Sequence, residues 1–123
     1  MPGGEIGRQA TLLRTLSHPG RLGIVAVLGR GEACVCHLAA ALGRSQPYVS
    51  QQLAILRAAG FITSRREGTF TYYALRDYAV LGIVDLADRL AGNPPLSRGQ
   101  PAAVSGCECP ACRLAPVEGH RAQ

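Results

Sequence analysis

The strongest constraint on the fold is a change of period. From Gly31 to Phe61 the chain reads GEACVCHLAAALGRSQPYVSQQLAILRAAGF, and its apolar residues recur at helical spacing. From Phe61 it reads FITSRREGTFTYYAL, which alternates and is rich in Ile, Thr, Phe and Tyr. The first half divides at GRS. ACVCHLAAALG predicts a short helix with Leu38, Ala41 and Leu42 facing inward, closed by Gly43 in a left-handed cap. Ser45 then caps a second helix, with Pro47 near its first turn and Tyr48, Val49, Leu53 and Leu56 along it, ending at Gly60. Glu67-Gly68 supplies a turn inside the alternating stretch, so that stretch predicts a β-hairpin.

The flanks are helical. GEIGRQATLLRTLS carries Ile6, Ala10, Leu13 and Leu16 at helical spacing. HPGRLGIVAVLGRG follows, with Pro19 in a first turn, Ser17 or His18 as its cap, and Gly29 and Gly31 at its end. After the hairpin, YAVLGIVDLADRLAG returns to helical period through Leu81, Val84, Leu86 and Leu90. Past Gly92 the composition turns to Pro, Gly, Ser and Ala. The expected fold is therefore mainly α with a small β-hairpin (α+β), in a winged helix-turn-helix arrangement. Residues 1–91 form the domain, and residues 92–123 form a flexible, cysteine-containing tail.

In that arrangement the second helix enters the DNA major groove and its early residues meet base edges. Here they are Ser45, Gln46, Pro47, Tyr48, Ser50, Gln51 and Gln52. Glutamine pairs bidentately with adenine, and serine bonds bases or phosphates. No charged residue occurs from Ser45 to Leu56, whereas a merely solvated face more often carries Glu and Lys. Arg65 and Arg66 flank the hairpin tip, where they can clamp phosphates or enter the minor groove. The net charge is +5 and all basic residues are arginine, whose planar fork suits phosphate and guanine. Charge alone is weak evidence for nucleic acid; beside the helix pair it gains weight.

Five cysteines, an odd number, argue against a disulfide framework. Cys34 and Cys36 stand together, as do Cys107, Cys109 and Cys112, which suggests metal or redox chemistry. No run approaches the roughly 18 apolar residues of a membrane span, and MPGGEIGRQA does not read as a signal peptide. A cytoplasmic protein with no membrane partner is expected.

Three stretches, TLSHPGRLGIVAVL, CVCHLAAALGRSQPYVSQQLAILRAAGFI and RREGTFTYYAL, resemble in content and order the ArsR/SmtB family of bacterial metal-responsive repressors. The resemblance runs from about residue 9 to 91. It implies a homodimer built through the first and last helices, a palindromic operator in double-stranded DNA, and release of that DNA on binding metal. CVC resembles the thiolate site of members that sense arsenite, cadmium or lead, which assigns Cys34 and Cys36 as ligands. Gln52 stands where relatives often carry histidine, and His37 where they often carry aspartate. His37 is expected as a surface or capping residue before a ligand. The second family site, Asp and His on the last helix, looks absent: Asp85 and Asp88 are present without histidine.

Residues i and i+2 of a regular helix lie about 200° apart, so Cys34 and Cys36 can share one ion only if the first turn is not helical or unwinds. Unwinding there would shift the second helix through the short connection at Gly43-Arg44, so that metal binding favours a conformation with poorer DNA fit. Trivalent arsenic takes three sulfurs, and cadmium, lead or zinc three or four. No cysteine precedes Cys34, so Cys107, Cys109 or Cys112 is expected to complete the site. As(III) or Sb(III) is the leading inducer, with Cd(II), Pb(II) or Zn(II) as the alternative. A thiol-disulfide redox sensor is the competing class, since helix N-termini favour reactive thiols. An enzyme is not expected: Cys109 and Cys112 have C-x-x-C spacing but no strand-helix scaffold.

Overall fold

A computed structural model describes residues 4–94. The elements run α1 (Gly4–Leu16), α2 (Pro19–Leu28), β1 (Ala33–Cys34), α3 (Val35–Leu42), α4 (Gln46–Ala58), β2 (Ile62–Glu67), β3 (Phe70–Leu75) and α5 (Val80–Ala91). The three strands form one antiparallel sheet in the order β1-β3-β2. This is the winged helix-turn-helix expected from the sequence, with β2 and β3 as the wing.

The boundaries follow local chemistry. His18 caps α2: its Nδ1 accepts from the Gly20 amide at 3.2 Å, and Pro19 occupies the first turn. Ser45 caps α4, its Oγ accepting from the Tyr48 amide at 3.3 Å. Gly43 ends α3 at φ 66° and Gly68 turns the hairpin at φ 63°, both in the left-handed region where a side chain is disfavoured. The hairpin register runs from Ile62 opposite Leu75 to Glu67 opposite Phe70.

The core joins α2, α3, α4 and the sheet through Ile24, Val25, Leu28, Leu38, Val49, Leu53, Leu56, Ile62 and Leu75. Fully burying one such side chain stabilises by about 1.5–3 kcal/mol, so this cluster sets the α3–α4 angle. α3 departs from its expected face. Ala41 is exposed, while His37 and Ala39 turn inward beside Leu38. The cause lies at the helix start. Ala33 and Cys34 are drawn into the sheet against Tyr73 and Tyr72, so α3 begins only at Val35.

α5 is two-faced. Val80 and Val84 pack on the core, but Ile83, Leu86 (57% exposed) and Leu90 (90% exposed) do not. On α1, Ile6, Leu12 and Leu13 are likewise exposed and only Leu16 is buried. Among the described residues no helix is long and apolar enough to cross a membrane. Cys107, Cys109 and Cys112, and the expected tail beyond Pro94, lie outside the described residues.

Candidate DNA interface and thiol site

The expected reading helix is α4. Ser45, Gln46, Pro47, Ser50 and Gln51 are exposed along its first turns. Tyr48 is half-buried, leaning toward α2, and the Arg44 guanidinium carbon lies 3.7 Å from its ring centroid. Gln52 differs from the expectation that it meets base edges. It is 6% exposed, and its Oε1 accepts from Arg21 Nε at 2.9 Å. Arg21 Nη1 also donates to the Thr15 carbonyl at 3.0 Å. Six residues on from Gln46, more than one and a half turns, position 52 has rotated to the core side. Gln52 thus ties α4 to α2 and to the end of α1. Gln52→Leu is expected to lower thermal stability by about 1–3 kcal/mol, because the Arg21 donor loses its acceptor. Gln51→Ala is expected to weaken DNA binding at unchanged stability. Thermal unfolding beside a DNA titration of both variants checks this contrast.

The wing arginines differ from one another. Arg65 Nε donates to Glu32 Oε2 at 3.0 Å, its Nη2 pairs with Glu32 Oε1, and its Nη1 pairs with Glu67 at 2.8 Å. These hydrogen bonds, donated to Glu32 and then to Glu67, raise its pKa further. Its guanidinium also lies 4.8 Å from the Tyr72 ring centroid. Much of its charge is therefore answered within the chain. Arg66 is exposed and makes no ion pair among the described residues, which leaves it the more available of the two for phosphate.

Cys34 and Cys36 meet. Cys34 sits at the N-cap of α3 with extended backbone, φ −90° and ψ 172°. Of the two ways around the 200° separation, this is the first: Cys34 precedes the helix. The two Sγ atoms stand 3.2 Å apart, with Cys34 3% exposed and Cys36 half-buried. Tyr72, 1% exposed, packs on Cys34 with Cys36 and Phe70 around it. Cys34 faces Tyr72 across β1–β3, and Tyr72 faces Arg65 across β3–β2. One row therefore runs from the thiols through Tyr72 to Arg65 in the wing, and Arg65 pairs back with Glu32, just before β1. Sequence spacing does not reveal this row, because β1 exists only through its pairing with β3.

No group of three or more His, Cys, Asp and Glu side chains is gathered among the described residues. The thiol pair supplies two soft donors on one side, which suits a thiophilic ion, and leaves such a site short of a third. His37 is buried rather than at the surface, and burial, with Arg30 adding to it, lowers its pKa below the ordinary 6.5. Burial thus favours its neutral form. Asp88 Oδ1 accepts from Asn93 Nδ2 at 3.0 Å at the end of α5.

Similar proteins are DNA-binding regulators. The sequence model for "Bacterial regulatory protein, arsR family" matches residues 18–64. The biofilm growth-associated repressor of Agrobacterium fabrum is 46% identical over 68 residues, which are 55% of this chain and 58% of that protein. The arsenical resistance operon repressor of Escherichia coli is 45% identical over 65 residues, which are 52% of this chain and 56% of that protein. The chain thus spans little more than half the length of these two relatives. The crystal structure of the transcriptional repressor BigR from Xylella fastidiosa matches with a TM-score of 0.65 and 36% identity, covering 69% of this chain and 87% of that one. This chain shares with these regulators a helix-turn-helix at its centre. It belongs to the arsR family of bacterial regulatory proteins.

Proposed function

We propose that this protein is a cytoplasmic, homodimeric transcriptional repressor that leaves a palindromic operator when Cys34 and Cys36 bind a thiophilic metal(loid), As(III) or Sb(III) first. The observation that carries this reading is the 3.2 Å approach of the two sulfurs at the start of α3. A soft ion bound there supplies strong bonds to thiolate sulfur. Cys107, Cys109 and Cys112 are the proposed source of the third donor. Cd(II), Pb(II) or Zn(II) is the alternative ligand within the same mechanism.

The chain's own part is to carry a local change to the DNA-binding elements. Cys34 is both a ligand and a member of the wing sheet, facing Tyr72. A shift of its backbone therefore passes directly to β3, and through Arg65 and Glu32 to β2. A second route runs along α3 and over Gly43 to α4. Either route favours a conformation that fits the operator less well, and the ligand's preference for that conformation sets the size of the response. Ser45, Gln46, Pro47, Ser50 and Gln51 are the proposed base-reading face, with Arg66 on the backbone.

A second reading is favoured by the same proximity: two thiols this close, or one of them with a tail cysteine, also suit oxidation to a disulfide. The two readings part on reductant. The test is a fluorescence-anisotropy titration on a palindromic duplex in reductant, with the full chain and a chain ending at Gly106. Release by arsenite in the full chain alone is the expected result. Release by cadmium and not by arsenite would change the ion. Equal release in both chains would remove the tail from the site.

A further inference from the structure

The start of α4 holds an arrangement that reading α4 as a row of base contacts leaves unexplained. Gly20, in the first turn of α2, is buried. A Cβ placed there would meet the Tyr48 hydroxyl oxygen at 2.2 Å and two ring carbons at 3.0 Å. The missing side chain is therefore a socket that lets the Tyr48 ring lie against α2. The His18 ring, whose Nδ1 caps α2, lies 6.4 Å from it. The Arg44 guanidinium carbon stands 3.7 Å from the Tyr48 ring centroid, within cation–π range. Arg44 itself is exposed and makes no ion pair among the described residues.

The charge pattern gives this stack a purpose. The reading helix has no cation from Ser45 to Leu56, and Arg65 in the wing is answered by Glu32 and Glu67. Arg44, one residue before the N-cap, is the cation nearest the reading face in sequence. A guanidinium stacked flat on an aromatic ring keeps its edge N–H donors free for a planar anionic partner. Holding it in place beforehand reduces the side-chain freedom lost when DNA binds.

We propose that Arg44 contacts a DNA phosphate at the margin of the major groove, that Tyr48 is its positioning residue, and that Gly20 exists as a glycine to seat Tyr48. This rests on the DNA-binding reading of the chain, and it moves Tyr48 from base reader to platform. A phosphate contact acts on any sequence, so it can be tested without the operator.

The test uses the full chain and a mixed-sequence duplex, with anisotropy followed from about 50 to about 200 mM salt. Arg44→Ala is expected to reduce the slope of log K against log salt by about 0.9 per bound chain, at an unchanged thermal midpoint. Arg44→Lys is expected to keep the slope and weaken binding about three- to ten-fold, because an ammonium does not stack as the guanidinium does. Tyr48→Phe is expected to match the unaltered chain. Gly20→Ala is expected to weaken binding as Tyr48→Leu does, and the two together no further than Tyr48→Leu alone. An unchanged salt slope in Arg44→Ala would overturn the phosphate contact. Additive losses from Gly20→Ala and Tyr48→Leu would overturn the socket, and unfolding of Gly20→Ala leaves the Tyr48→Leu and Tyr48→Phe comparison to decide the platform. If the unaltered chain bound no duplex at all, the DNA-binding reading would fall, and this proposal with it.

Discussion

Leu86→Glu in α5 is expected to leave the chain folded and to leave it monomeric, with operator affinity reduced about a hundred-fold or more. The reasoning starts from exposure. Leu86 and Leu90 on α5 are 57% and 90% exposed, and Ile6 and Leu13 on α1 are 66% and 51% exposed. Leu12 and Ile83, exposed on the same two helices, line a groove of about 610 Å³ together with Thr11, Phe61 and Val80. Scattered exposed apolar residues are ordinary, but six on two helices are the mark of an interaction surface. The proposed occupant is the same face of a second copy, as the family resemblance implies. A two-fold dimer buries one patch against itself, so one carboxylate introduced per chain places two in the apolar interface. Because Leu86 contributes little to the core, the fold is expected to survive. A monomer meets one half-site instead of two, and loses most of the margin between specific and non-specific binding, about a thousand-fold or more in such regulators. Sedimentation with an operator titration checks both halves. A Leu86→Glu chain that stays dimeric would move the interface elsewhere.

Cys34→Ser and Cys36→Ser are expected to keep operator affinity within about three-fold and to abolish the response to arsenite. Serine is close to cysteine in shape, so the extended backbone at position 34 and its pairing with Tyr72 are expected to persist. The burial of Cys34 makes the hydroxyl cost about 1–3 kcal/mol, which a lower melting temperature would register. The donor chemistry is what changes: a hydroxyl is hard, weakly acidic and a poor ligand for a soft ion. Since neither thiol lies on the exposed face of α4, loss of DNA binding itself is not expected. A titration of each variant with arsenite, read on the operator, decides the matter. Normal release by either variant would remove that cysteine from the site.

The sequence carried the order of elements because the signals for it are local. The shift from helical to alternating period marks the wing. His18, Gly43, Ser45 and Gly68 mark ends that depend on their own backbone and nearest neighbours. What escaped it depends on contacts between distant segments. Nothing in ACVC announces a strand. Ala33 and Cys34 are extended because Tyr73 and Tyr72, almost forty residues away, accept them as sheet partners. That pairing resolves the 200° puzzle, delays α3, and turns His37 inward and Ala41 outward. Gln52 has the same cause: it reads as one more polar residue of a reading face until Arg21, 31 residues earlier, takes its oxygen. Arg65 reads in the sequence as a phosphate clamp beside Arg66, but Glu32 and Glu67 pair with it. Arg44, in the GRS turn, was in plain view, and only the stack on Tyr48 gives it a role.

Ligand occupancy of the thiol pair is expected to be felt at the DNA. The most direct measurement is operator anisotropy of the full chain under two conditions: reductant with arsenite, and hydrogen peroxide without reductant. Release by arsenite in reductant is the result expected here, with peroxide not required. Binding that ignores arsenite and cadmium in reductant, but is lost on peroxide, would contradict the metal(loid) reading and place the chemistry of Cys34 and Cys36 in thiol oxidation.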